Sequence, residues 1–357
     1  MNFDYNEEQQ LLSDSVRRFL GKDYDFEARR RIVASDAGWS PAAWKTFAEL
    51  GLTGLPFASE HGGFGGGAVD LMGVMEAFGE ALVVEPYLPT LMGGLAVARS
   101  PLAGSILPGV VEGKTKLAFA HAEKGARYDL AAVTTRARKA GEDWTIEGEK
   151  AAVIGAPMAD KLVLSARTGD GVALFVTENL NCKAYRTLDE MRACDLVFKG
   201  ERAQRLEGGL ALVEELADFA AALVCAEALG AMKFACDATL EYLKTRRQFG
   251  VPIGTFQALQ HRMVDMFIAQ EQARSMACLA CSKVDQTGER KERARAVSAA
   301  KIKIADSARH ISQESVQLHG GMGMSEELKI SHTFRRLTVM AGQFGDADHH
   351  LARFAAF

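Results

Sequence analysis

The sequence predicts a mainly α-helical chain with a β domain in its middle, and three observations carry that prediction. Apolar residues recur near the helical period over residues 1–115, near the strand period over 116–207, and near the helical period again over 208–357. Glycine- and proline-rich punctuation breaks the first stretch at 56–67, and Gly208-Gly209 opens the last. The length, 357 residues, suffices for two or three structural units. The expected architecture is therefore a helical N-terminal domain (1–115), a small β barrel or sandwich (116–207) and a C-terminal four-helix bundle (208–357).

An early helix is expected from Glu7 to about residue 20, with Leu11, Leu12, Val16 and Phe19 on one face. Ser40-Pro41 places a capping hydroxyl before a proline in the first helical position, so a second helix starts there. The glycines at 62, 63, 65, 66 and 67 require a loop. Short β-rich runs follow at 117–121, 131–138, 144–147, 161–166, 172–176 and 196–198, separated by charged and glycine-bearing turns, which suggests antiparallel pairing. The bundle then reads as one helix over about 210–244, one with Leu259, Met263, Met266, Phe267 and Gln270 on a face, and one with Val297, Ile304, Ala308, Ile311, Ser315 and Leu318 near a 3.5-residue repeat.

Composition excludes several classes. Lys plus Arg total 42 against 46 Asp plus Glu, a net charge of −4 that offers no basic excess for nucleic acid. No run approaches the roughly 18 consecutive apolar residues that span a bilayer, so no membrane partner is expected. The acidic, polar opening Met1-Asn2-Phe3-Asp4-Tyr5-Asn6-Glu7-Glu8 does not read as a secretory signal, and a cytoplasmic location is the expectation. The six cysteines form no disulfide framework; Cys278 and Cys281 lie in an apolar helical stretch with no second ligand pair, so no metal is expected.

Two segments stand out chemically. Thr245-Arg246-Arg247-Gln248-Phe249-Gly250 ends a long helix with paired guanidiniums beside an aromatic residue, and Pro252 follows. Cations, glycine and proline are what a helix end favours, yet the same arginines suit a diphosphate with a ring nearby for a base or sugar. Gln317-Leu318-His319-Gly320-Gly321-Met322-Gly323 is either a helix cap and turn or a backbone surface open to an anion or ring.

Taken together, the order Arg-x-Gln-Phe-Gly-x-Pro-Ile-x-x-Phe-Gln, two helices, then Gln-x-x-Gly-Gly-x-Gly resembles the acyl-CoA dehydrogenase family of flavoproteins. The likeness extends to the Pro/Gly-rich segment at 56–67 and to Trp144-Thr145-Ile146-Glu147-Gly148-Glu149-Lys150, which is similar to the family's Trp-x-x-x-Gly-x-Lys hairpin. The resemblance implies FAD as cofactor and an acyl-CoA thioester as substrate. A carboxylate removes the α proton, flavin takes the β hydride, and an electron-transferring flavoprotein accepts the electrons, as in fatty acid β-oxidation. It implies that Arg246, Gln248, Phe249 and Gln257 contact the diphosphate and adenosine of FAD together with Gln317, Gly320 and Gly321. In the family these contacts reach the FAD of a neighbouring subunit, so an oligomer is implied.

The chain departs from the family pattern at the base. Phe344 stands where many members place the catalytic Glu, and Ala220 stands at the alternative helical position. Asp346 is the nearest substitute, although a loop carboxylate before Ala347-Asp348-His349-His350 is also a natural helix cap. Glu227 and Glu241 are expected to be buried and paired. In the middle domain Ala122 replaces the family threonine of Thr-Glu-Pro, and Ala152-Val153-Ile154 replaces Trp-Ile-Thr. Tyr24-Asp25-Phe26-Glu27, Arg127-Tyr128-Asp129-Leu130 and Phe344-Gly345-Asp346-Ala347-Asp348-His349-His350 are similar to small subunits of pimeloyl-CoA dehydrogenases, which pair with a large subunit of the same fold. Three readings follow: a subunit sharing FAD in a heterotetramer with a large-subunit paralogue, a self-sufficient homo-oligomer using Asp346, or a flavin-free structural or regulatory paralogue.

Overall fold

A computed structural model describes residues 5–178, 180, 182–286 and 289–357; residues 1–4 of the polar opening lie outside that range. Helices α1 (Glu7–Asp23), α2 (Phe26–Ala34), α3 (Pro41–Glu49), α4 (Ala68–Ala81), α5 (Tyr87–Val97) and α6 (Ala103–Val111) come first. Strands β1 (Leu117–Ala120), β2 (Arg136–Ala140), β3 (Asp143–Ile154), β4 (Lys161–Thr168), β5 (Gly171–Thr177), β6 (Cys182–Arg186) and β7 (Arg192–Gly209) follow. Helices α7 (Leu210–Thr245), α8 (Gln257–Asp285), α9 (Arg290–His319), α10 (Lys329–Gly342) and α11 (Ala347–Ala355) complete the chain. Two compact units result: Met1–Arg29, Ala68–Val83 and Ala221–Phe357 form one, and Arg30–Gly67 with Val84–Ala220 form the other.

The first unit is helical. Helix α1 opens with a capping box in which Asn6 Oδ1 accepts from Gln9 N–H at 2.9 Å and Gln9 Oε1 accepts from Asn6 N–H at 2.9 Å. Its buried stripe is Ser13, Val16 and Leu20, while Leu11 is left exposed, so the face is rotated by part of a turn from the one expected. The α9 stripe is as expected: Val297, Ile304, Ala308, Ile311, Ser315 and Leu318 are all buried. On α8 the expectation is corrected. Met266 is buried, but Phe267 is 57% exposed, with Val264 and Ile268 beside it. The face that packs inward is made of small residues, Ala269, Ala273, Ala277 and Ala280, because they let neighbouring backbones approach closely.

Helix α7 is apolar enough to cross a membrane by length and composition, with a mean hydropathy of 1.6 over its most apolar window, yet 83% of that window is buried inside protein. Its approach to α4 is backbone on backbone. A Cβ added at Gly79 would lie 1.8 Å from the Glu227 carbonyl oxygen, and one at Gly230 would lie 1.8 Å from that of Glu76. At the same crossing Arg336 of α10 reaches Glu227, its Nε donating to Oε1 at 3.0 Å with both residues buried. Glu227 is thus paired as expected. Glu241 is paired too, with Lys244 2.7 Å away, but it is exposed rather than buried, because it faces outward on the last turns of α7.

The second unit holds α3, α5, α6 and the strands. Ser40 Oγ accepts from Ala43 N–H at 3.1 Å with Pro41 in the first turn, the expected cap. The strands close on themselves through the pairings β4–β2, β2–β3, β3–β7, β7–β5 and β5–β4, with β1 and β6 added at the side. This is a barrel, but not purely antiparallel: β1 and β2 each run parallel to β4. Strands β3 and β7 are longer than expected because their bulges let one continuous ribbon bend. The interior is Ile146, Leu162, Leu164, Phe175, Leu196 and their neighbours.

A charged pair is buried within this unit. Lys150 Nζ donates to Glu123 Oε1 at 2.7 Å and to Ser165 Oγ at 3.0 Å, and Thr134 donates to the other Glu123 oxygen from its N–H and its hydroxyl. Burial by itself would raise the Glu123 carboxyl, but the bonds from Lys150 and Thr134 outweigh it and hold the group down at about 2.

Two outcomes are expected. Gly230→Ala sets a methyl against the Glu76 carbonyl and forces α4 and α7 apart, so urea unfolding should show a loss of about 2–3 kcal/mol or more. Glu123, depressed when folded, contributes stability that is fully present above its unfolded value of about 4.3 and is lost as pH falls towards about 2. Denaturation midpoints measured across that window should fall more steeply for the native chain than for Glu123→Gln.

Candidate functional site

Helix α7 ends where Arg246 N–H donates to Tyr242 O at 2.8 Å, after which the chain folds into a hairpin of β8 (Arg247–Gln248) and β9 (Val251–Pro252). Its two tip residues, Phe249 and Gly250, have φ of +53° and +83°. A two-residue turn that follows the strand twist needs positive φ at both positions. Glycine adopts it freely, whereas a non-glycine residue there costs about 1 kcal/mol. The Phe249 ring at this tip is 89% exposed, with Phe256 edge-on at 6.1 Å.

The side chains along this edge differ in what they do. Arg247 donates to the Gly250 carbonyl at 3.1 Å and so supports the turn. Among the described residues, Arg246, Gln248 and Gln257 make no side-chain hydrogen bond or ion pair, and all three are exposed. Gln317, in the last turn of α9, is in the same condition. After it, Gly320 takes φ +61°, and a Cβ at Gly320 or Gly321 would meet nothing within 4 Å, so backbone is presented to open space. Gly323 differs, being buried within 2.5 Å of the Val316 carbonyl by the same measure, and is needed for packing.

The two segments, distant in sequence, are held together by a ring stack: Tyr242 lies on His319 with centroids 4.4 Å apart and planes at 26°. Arg262 Nε, one turn into α8, binds Glu314 Oε2 of α9 at 2.5 Å and fixes the adjoining helices. The result is one edge bearing a free guanidinium, three free amides, an exposed ring and bare backbone. Such a set can bind a phosphate and the polar rim of a base or sugar.

The loop after α10 is held by several buried hydrogen bonds. Phe344 has φ +56°, and its carbonyl accepts from His350 Nε2 at 3.0 Å, while His350 Nδ1 accepts from Ser298 Oγ at 3.1 Å. Burial, aided by the Lys301 charge, pushes the His350 imidazole down to about 3, so it is a neutral strut. Lys301, fully buried, donates to the Met340 carbonyl at 2.9 Å. Sequence reasoning missed both struts. The available signal was a lysine within the otherwise apolar stripe of α9. Asp346 caps α11, its Oδ1 accepting from His349 N–H at 2.8 Å. Ala220 is fully buried. In the barrel, Ala122 offers only its carbonyl, which accepts from Ala151 N–H at 2.9 Å, and Arg167 is engaged by the carbonyls of Val133 and Ala131 at 3.0 Å each. No group of metal-ligating side chains occurs among the described residues.

Comparison with known proteins gives the family of the chain. Family models match the chain in three successive segments, the acyl-CoA dehydrogenase N-terminal domain over residues 6–100, the middle domain over 118–200 and the C-terminal domain over 207–356. Acyl-CoA dehydrogenase IpdE2 of Mycolicibacterium smegmatis is 28% identical over 352 residues, covering 98% of this chain and 99% of that protein. The solved structure of the Tcur3481-Tcur3483 steroid ACAD G363A variant is 28% identical, with a TM-score of 0.89 over 98% of this chain and 97% of that one. The FAD complex of PigA is 25% identical, with a TM-score of 0.90 over 100% of this chain and 98% of that one. With all three domain models aligned in order along a helical, barrel, helical chain, this protein belongs to the acyl-CoA dehydrogenase family.

Proposed function

We propose that this chain is a subunit of an FAD-dependent acyl-CoA dehydrogenase that holds FAD jointly with a neighbouring subunit, and that a large-subunit paralogue supplies the catalytic base. The observation that carries the proposal is the contrast between a complete cofactor-contact edge and an empty base position. Arg246, Gln248, Gln257 and Gln317 are exposed and unengaged around the open Gly320-Gly321 backbone, whereas Phe344 and Ala220 offer no proton acceptor. An exposed edge of this kind suits the FAD of a second subunit. The PigA complex with FAD, and the pair of proteins named in the steroid ACAD structure, support the cofactor and the heteromeric form respectively.

The chemistry that FAD supplies when bound is acceptance of a hydride from the β carbon of the acyl-CoA. The Arg246 guanidinium neutralises diphosphate charge, the Gln248, Gln257 and Gln317 amides orient the adenosine, and Phe249 shields it from water. Gly320 and Gly321 admit the phosphates close to the backbone, which a side chain would prevent. Removal of the α proton needs a carboxylate beside the thioester. Asp346 is held as a helix cap, and this favours a base from the partner over the self-sufficient reading. A cytoplasmic setting and an electron-transferring flavoprotein as acceptor belong to the same proposal.

The first test is the visible spectrum of the chain made alone and made with a large-subunit paralogue. The expected result is colourless protein alone and bound flavin in the pair, with FAD held about tenfold more weakly when Arg246→Ala is introduced. Asp346→Asn keeps the cap, because Asn caps as well as Asp. Turnover of the pair should therefore stay within about twofold, against the 10²–10⁴-fold loss expected of a general base. A yellow, active homo-oligomer silenced by Asp346→Asn would instead establish the self-sufficient enzyme.

A further inference from the structure

A cavity of about 600 Å³ lies in the helical unit between the last turns of α7, the start of α10 and Phe26 of α2. None of Arg246, Gln248, Gln257, Gln317, Gly320 or Gly321 lines it, although it adjoins the cofactor-contact edge through Tyr242, Thr245, His319 and Met322. Its size is within the roughly 300–1,000 Å³ typical of small-molecule sites. The walls are largely apolar, with Phe26, Phe234, Leu328 and Ile330 prominent.

One charge is out of place in such walls. The Lys329 ammonium lies 4.0 Å from the centroid of the Phe234 ring and, among the described residues, makes no hydrogen bond or ion pair. Burial lowers it to about 8, with Glu80 acting in the opposite sense, so the group is still largely protonated near neutral pH. A half-buried cation set against a ring, with Glu80 beyond ion-pair distance, is incompletely compensated and favours an anion beside it. Two further donors converge on the same space. The Tyr242 hydroxyl has no hydrogen bond among the described residues, and Leu328 gives α10 no side-chain cap, so the Lys329 and Ile330 N–H groups lack one at the cavity edge while that of Ser331 donates to the Leu328 carbonyl at 3.2 Å. Glu241 and Glu327 also line the cavity and oppose a second negative charge on the occupant.

We infer that this cavity binds a small monoanion with an apolar body, its carboxylate at Lys329 and its aryl or alkyl part among Phe26, Phe234, Leu328 and Ile330. A polyphosphate is disfavoured by the two glutamates, and an uncharged ligand leaves Lys329 without its counter-charge.

The test is isothermal titration calorimetry of the full chain with 4-phenylbutyrate and with 4-phenylbutan-1-ol, its uncharged counterpart. The acid should bind about tenfold more tightly than the alcohol. That preference should disappear in Lys329→Met, and Ala238→Trp, which fills the cavity, should remove binding of both. The Met322 methyl resonance of the unsubstituted chain should shift on adding the acid, which locates the ligand even if a variant fails to fold. Equal affinity for acid and alcohol, a preference that survives Lys329→Met, undiminished binding by folded Ala238→Trp, an unmoved Met322 signal or no binding would each overturn the inference.

Discussion

The helical unit depends on one contact, the crossing of α4 and α7 at Gly79 and Gly230. Two backbones meet there with no room for a single Cβ on either side. Everything attached to α7 follows from that approach. Glu227, whose carbonyl faces Gly79, turns its carboxylate to Arg336, so the crossing also seats α10. A charge pair buried this deeply adds little net stability compared with apolar packing, but removing one partner leaves the other uncompensated. Its effect is therefore to fix which turn of α10 meets which turn of α7. From that register α7 carries Tyr242 to His319 and Arg246 to the exposed edge.

The loop after α10 is held in place by buried polar side chains from other elements. Lys301 holds the Met340 carbonyl, His350 holds that of Phe344, and Ser298 holds His350. Each strut satisfies a polar group that would otherwise be buried at a cost of one to a few kcal/mol. A loop so fixed positions the side chain at 344 closely, and that side chain is a phenyl ring. At the hairpin, the strained Phe249 and the unengaged Arg246 keep functional groups in solvent rather than in the core.

Much of this was legible in the sequence because it is local. The Ser40-Pro41 cap, the 3.5-residue stripe of α9 and the β-rich runs at 117–121, 161–166 and 172–176 depend on neighbours a few residues away, and they stand in the fold as read. The burial of Glu227 was legible too, because a lone carboxylate amid Cys225-Ala226 and Ala228-Leu229 has to find a partner. Phe267 was misread because periodicity ranks a large apolar residue as core, while the closest helix packing on α8 is made by alanines. Glu241 was misread because position on a helix does not say whether that turn is covered.

By itself the sequence determined the order of helical and β segments, their capping and turn positions, and the two motifs from which family membership follows. All of these are set by short-range periodicity, side-chain chemistry and backbone preference. Only the tertiary structure decided that β1 and β2 run parallel to β4, that Lys301 and His350 support the loop at 344, and that Asp346 is a cap. It alone left the side chains of Arg246, Gln248 and Gln317 exposed and without a hydrogen bond or ion pair among the described residues. The physical reason is that each of these turns on a partner distant in sequence, whose arrival is fixed by packing and by the need to satisfy every buried polar group at once.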